Sequence, residues 1–283
     1  MNTITTTDGE RLAVYAYGDS SRTPLVLVHG YPDDHSVWQR VIPHLTDDFY
    51  VVAYDVRGAG ESTTPASSDA YTLSQLSHDL ATFIDEVLEG RPFHLVGHDW
   101  GSIQSWESVT SQEFEGKILS YTSISGPNLD YSALVMRQRA SRPLDLARAF
   151  APQWYVGVLY VPFLPTLLWN SITPEKWQKR VAAEENDDTI PVNPNVSDNG
   201  RNGFHLYRAN FGSRFSSPQP RKPICPVQAI VAVDDKIVHP SLINEMRRWS
   251  DDYTQTYVDG GHWAALGNPE GVAEAIASFA KKV

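Results

Sequence analysis

The short apolar run Phe93–Val96 ends in Gly97-His98-Asp99-Trp100-Gly101, and a helical stretch, Ser102–Val109, follows. A glycine on either side of a central residue at a strand-to-helix junction constrains the chain strongly. The turn that lifts the central residue above a sheet is crowded, and a larger side chain at either flank would clash with it. In the usual form of such an elbow the central residue is serine. Here it is Asp99, and a carboxylate can also act as a covalent nucleophile. With a reference pKa of about 3.9, it is already ionised at neutral pH. The plain alternative is a glycine-rich turn whose aspartate caps the next helix, and the other motifs weigh against it.

The rest of the chain supplies the sheet that such an elbow needs. Four further runs, Pro24–Val28, Tyr50–Tyr54, Ile118–Ile124 and Val227–Val233, are short, rich in Val and Ile and show little alternation. That pattern suits strands buried on both faces of a parallel sheet. Leu73–Leu88 carries a helical apolar stripe, and Leu242–Trp249 and Val272–Phe279 read the same way. Strands alternating with helices give a parallel α/β sheet with right-handed crossovers. Thr3–Thr7, the Asp8-Gly9 turn and Leu12–Tyr15 add a hairpin at the start. Residues 128–211 hold no convincing strand and many of the Trp, Pro and Arg residues, so they form a mainly helical insertion with a loop at Glu184–Gly203.

Composition excludes several classes. The net charge is −11, which argues against binding a phosphate backbone or anionic lipid. The one cysteine, Cys225, reads as a small buried residue and points to a reducing compartment. The first residues lack a basic start and an apolar h-region, and the most apolar run, Trp154–Trp169, is broken by Pro162 and Pro165. A cytoplasmic protein without a membrane anchor, a metal or another cofactor is expected.

Three more motifs bear on chemistry. His29-Gly30-Tyr31-Pro32 follows the first core strand, where a backbone amide can face the nucleophile. It nominates the N–H groups of Tyr31 and Trp100 for an oxyanion hole. Asp55–Ser62 (DVRGAGES) reads as structural, with Asp55 and Arg57 able to pair. Late in the chain, His262 in Gly260-Gly261-His262-Trp263 is the expected general base. The acid that orients it is Asp234 or Asp235, and Asp235 is preferred because it leads into a short turn. His239 is read as a surface residue.

Together HGYP, DVRGAGES, GHDWGS, the late acid and GGHW resemble the epoxide hydrolases of the α/β-hydrolase superfamily, over essentially the whole chain. SISGPNLDYSALVMRQ, QWYVGVLYVPFLPTLLW and NGFHLYRANF are most similar to the hydrolase domain of mycobacterial-type epoxide hydrolases that are often fused to a dehydrogenase. Since the sequence runs to Val283, no such fusion is expected. The resemblance implies an α/β-hydrolase fold: a mostly parallel sheet with helices on both faces, core at 1–126 and 214–283, and a helical lid at 127–213. It implies that an epoxide opens to a vicinal diol through an ester on Asp99, hydrolysed by water that His262 and Asp235 activate. The string Leu206-Tyr207-Arg208 resembles a lid-tyrosine motif, so Tyr207 is expected to donate to the epoxide oxygen. Tyr155 and Tyr160 lie near the second such position, and Tyr155 is taken as substrate-binding with Tyr31 and Trp100. The expected partners are a small hydrophobic epoxide and water. A haloalkane dehalogenase with the same aspartate ester is the nearest alternative, with Trp100 and one of Trp154, Trp169 or Trp177 donating to halide. A hydrolase-fold protein that binds a small molecule without chemistry is the other.

Overall fold

The computed structural model describes residues 2–142, 144–145 and 154–283. Eight strands form one sheet: β1 (Asn2–Thr5), β2 (Arg11–Tyr17), β3 (Pro24–Val28), β4 (Tyr50–Tyr54), β5 (Phe93–His98), β6 (Ile118–Ile124), β7 (Val227–Ala232) and β8 (Tyr253–Val258), in the order β1-β2-β4-β3-β5-β6-β7-β8. The first two strands pair antiparallel, and β2 also runs antiparallel to β4. All later pairings are parallel. This is the mostly parallel α/β sheet expected from the sequence.

Alternation decides which core each strand residue joins. On β3, Val26 and Val28 face one layer, built on α1 (Leu73–Leu88) and α2 (Trp100–Val109). Leu25 and Leu27 face the opposite layer, with Trp38, Val41 and the last helix, α10 (Pro269–Ala280). Both faces are covered, which is why these strands read as continuous apolar runs.

Between β6 and β7 lie α3 (Leu129–Arg139), α4 (Tyr155–Leu159), α5 (Leu164–Asn170), α6 (Pro174–Glu185) and α7 (Val196–Ser216). Part of the expected lid, 143 and 146–153, lies outside the described residues. The expected loop at Glu184–Gly203 is much shorter: α6 runs to Glu185 and α7 starts at Val196. Asn and Gly are poor helix formers, but packing overrides propensity here. A Cβ at Gly200 would stand 2.1 Å from the Trp169 ring, and one at Gly203 2.5 Å from the Tyr31 ring. Asn199 donates to the Asp33 carbonyl and accepts from the Gly60 amide. The remaining helices are α8 (Pro240–Met246) and α9 (Ala264–Gly267). Among the described residues, no helix is long and apolar enough to cross a membrane.

Candidate active site

Asp99 sits where β5 gives way to α2, with φ 52° and ψ −121°. A non-glycine residue in this conformation persists only where its surroundings over-determine it. The surroundings do so. A Cβ at Gly97 would approach the Gly101 carbonyl at 2.6 Å, and one at Gly101 would stand 2.1 Å from the Val28 carbonyl. The flanking glycines therefore let α2 pack directly on the neighbouring strand end.

The loop after β3 reaches across to the elbow. The Tyr31 backbone N–H donates to Asp99 Oδ1 at 2.8 Å. Gly30 allows this approach, since a Cβ there would lie 2.5 Å from the Asp99 side chain. His29 pins the loop from below: Nδ1 donates to the Gly30 carbonyl at 2.9 Å, so Nε2 accepts from the Val56 amide at 2.8 Å.

His262 follows β8 and is buried. Its Nε2 stands 3.5 Å from Asp99 Oδ2, and its Nδ1 3.1 Å from Asp235 Oδ2. The other Asp235 oxygen accepts from the Ile237 and Val238 amides, each at 2.8 Å. Burial raises the Asp235 carboxyl, but the charge and hydrogen bond of His262, with bonds from Val238 and Ser125, hold it below the ordinary value. Burial alone would lower His262, yet Asp235 and Asp99 lift it well above the usual imidazole range. Asp234 is exposed, and its backbone N–H bonds the Gly260 carbonyl. His239 is exposed and caps α8.

Above Asp99 lies a cavity of about 540 Å³ whose wall includes Tyr31, Tyr155, Tyr207, Trp177, His262 and Trp263. The Tyr155 and Tyr207 hydroxyls are 3.3 Å apart. Burial, with the Asp99 charge nearby, raises both phenols, so both stay protonated at neutral pH. Tyr160 is the odd one out: its hydroxyl donates to the Tyr207 carbonyl. A smaller void of about 30 Å³ continues past Asp99, Tyr155 and Tyr207 among Leu129, Phe211 and Val238. The Trp169 indole is committed to the Tyr31 hydroxyl at 2.6 Å, whereas those of Trp100 and Trp177 are buried without a hydrogen-bond partner among the described residues.

The structure thus brings Asp99, Asp235, His262, Tyr31, Trp100, Tyr155 and Tyr207 to one place. It does not pair Asp55 with Arg57. Asp55 bonds His35 at 2.7 Å and the Glu61 amide, while Arg57 is buried against Asp79 and Asp8. A turn with two acidic neighbours offered no local signal for that choice. Asp34, His35 and Asp55 could together offer metal ligands, but Asp55 is engaged as described and Asp34 bonds Ser36 and Asn195. Sequence reasoning missed Asp33, Glu184 and Glu185, which hold the loop carrying His262 and its neighbour Trp263. Nothing in the local sequence marks them.

Known proteins share this framework. Probable oxidoreductase EphD of Mycobacterium tuberculosis is 31% identical over 284 residues, covering 96% of this chain and 48% of its own. Bifunctional epoxide hydrolase 2 of Sus scrofa is 24% identical over 282 residues, covering 86% of this chain and 48% of its own. The chain therefore spans about half the length of these relatives. The crystal structure of epoxide hydrolase VrEH1 from Vigna radiata superposes with a TM-score of 0.75 at 20% identity, covering 100% of this chain and 98% of that one. The family model of the alpha/beta hydrolase fold matches residues 23–269, and the chain belongs to that family.

Proposed function

We propose that the protein hydrolyses a small hydrophobic epoxide to a vicinal diol through an ester on Asp99. The observation that carries this reading is the pair of phenols, Tyr155 and Tyr207, facing a largely apolar cavity that the Asp99 carboxylate also lines. Relatives named epoxide hydrolase support it.

In the first step Asp99 Oδ2 attacks an epoxide carbon. The carbon–oxygen bond breaks, and its electron pair passes to the ring oxygen, which takes a proton from Tyr155 or Tyr207. Oδ1, already bonded by the Tyr31 amide, becomes the ester carbonyl oxygen. Esterification removes the negative charge on Asp99, one of the two that hold His262 protonated, so the imidazole is freer to act as a base. Its proton passes to the tyrosinate left by ring opening, and the neutral imidazole then deprotonates water, which attacks the ester carbon. The charge that gathers on Oδ1 is met by the Tyr31 amide and the amide of Trp100. Collapse expels the diol oxygen, which recovers a proton from His262, and the re-formed Asp99 carboxyl gives its own proton back to the imidazole, so that carboxylate, imidazolium and phenol are all restored. One water is consumed. In this reading residues 127–213 form the lid, and neither metal nor cofactor takes part.

The haloalkane reading needs two N–H donors at the leaving group. The unpartnered indoles of Trp100 and Trp177 favour it, and the absence of any need for the tyrosine pair disfavours it. Incubation with an epoxide panel and a haloalkane panel, scoring diol and halide, separates them. Diol without halide is expected. Halide alone would replace this reading with the dehalogenase, and no product from either panel would leave a binding protein.

A further inference from the structure

The loop that carries His262 is held by carboxylates from the C-terminal end of α6. Glu185 Oε2 accepts from the Gly261 N–H and Oε1 from the Trp263 N–H, both at 2.9 Å. Glu184 Oε1 accepts from the His262 N–H at 3.2 Å. Three successive backbone amides therefore end on two adjacent side chains. From the opposite side, His98 Nε2 donates to the His262 carbonyl at 2.7 Å.

Space has been left for this contact. A Cβ at Gly261 would lie 2.7 Å from Glu185 Oε1, and one at Gly267 2.7 Å from the Glu185 Cβ. Glu185 is buried, whereas Glu184 lines the cavity. A second tie secures the same turn: Arg40 Nη1 donates to Asp187 Oδ2 at 2.5 Å and to the Leu266 carbonyl at 2.9 Å.

From this we infer that Glu185 is a positioning residue for the base: it sets the height of the Gly261–Trp263 backbone so that the imidazole stays between Asp235 and Asp99. The inference rests on His262 being the base. Its imidazole has little slack, with contacts of 3.1 Å and 3.5 Å on its two nitrogens. A misplacement of about 1 Å in such a constellation costs on the order of a hundredfold in rate. Because α6 belongs to the insertion and His262 to the core, the contact also links the seating of that helix to the competence of the base.

Alkylation of Asp99 needs no base, while ester hydrolysis does, so the two steps separate a positioning role from general support of the fold. Glu185→Gln keeps the shape and one acceptor, but turns an NH₂ group toward a backbone N–H. In single turnovers followed by intact-protein mass spectrometry, it should form the adduct at the parent's rate and hydrolyse it about a hundredfold more slowly. Glu185→Asp, which keeps the charge but falls short by a methylene, should show the same split if the glutamine variant fails to fold. Equal slowing of both steps, or unchanged hydrolysis, overturns the inference. His262→Ala run alongside tells the two failures apart: if it clears the ester normally, the base itself is wrong. Independently of activity, the downfield Nδ1–H proton signal of His262, identified by its loss in His262→Ala, should shift or broaden in Glu185→Gln. An unmoved signal also overturns the inference.

Discussion

The Tyr31 amide bonds Asp99 Oδ1 at 2.8 Å and leaves Oδ2 as the oxygen nearer His262. The two carboxylate oxygens are thus inequivalent before any substrate arrives. In the proposed mechanism the first is the oxygen on which negative charge gathers, and the second is the one that attacks. This division follows from Gly30, which alone allows the loop so close to the elbow.

The nucleophile is tested by oxygen labelling. A single turnover in heavy-oxygen water should place the label in Asp99, because water attacks the ester carbon and the diol keeps the original carboxylate oxygen. Asp99→Ala should fold and lose diol formation by several orders of magnitude, in keeping with the loss of a covalent route. A first-turnover label found only in the diol would rule out the ester.

In the proposed mechanism His262 and Asp235 act after the ester forms. His262→Ala should be alkylated and then stall, with the adduct visible by mass. In Asp235→Asn the hydrolysis step should slow by about 10⁴-fold, as when the acid of a comparable triad is neutralised. In the parent, hydrolysis should fall as pH drops through the imidazole pKa of the alkylated enzyme, since only the neutral ring accepts a proton. A flat hydrolysis rate across that range would exclude His262 as the base.

In the proposed mechanism Tyr155 and Tyr207 share one task. With hydroxyls 3.3 Å apart, either can reach an oxygen lying between them. Each single Phe variant should lose part of the alkylation rate, and the double variant should lose about 10²–10⁴-fold, the usual worth of a general acid. Ester hydrolysis should be little changed. If the double variant alkylates as fast as the parent, the tyrosines only pack.

Asp33 makes a prediction about stability. Burial pushes its carboxyl from 3.8 up to about 7, against the opposing pull of the Trp263 indole bond, and the Asp34 and Asp99 charges add to the rise. A carboxyl raised on folding binds its proton more tightly in the folded chain. It favours folding most below 3.8, and that contribution is lost as pH rises toward about 7. Asp33→Asn cannot ionise, so its advantage over the parent should grow by roughly 1.4 kcal/mol per pH unit across that window. Thermal unfolding at pH 5 and pH 8 measures it, and an equal difference at both would be incompatible with a raised Asp33.

The sequence by itself determined the architecture. Both faces of the sheet had to be covered because the strands carry apolar residues at successive positions, and the elbow was legible because only glycine tolerates its contacts. Local order also announced Asp99, His262 and Asp235, since each ends or follows a strand-like run. Tyr207 was nominated by resemblance to a known motif, whereas Tyr155 lay only near the second such position and did not fall on the family's pattern. Tertiary structure alone decided the rest. Whether Asp55 meets Arg57 or His35 depends on segments far apart in the chain. The start of α7 was hidden by Asn and Gly residues whose helix penalty is outweighed by the Trp169 and Tyr31 rings packed against them. Glu185, 76 residues before the amide of Gly261, shows no pattern of its own. A hydrogen bond between distant segments leaves no periodicity in either one, so it becomes visible only once the chain has folded.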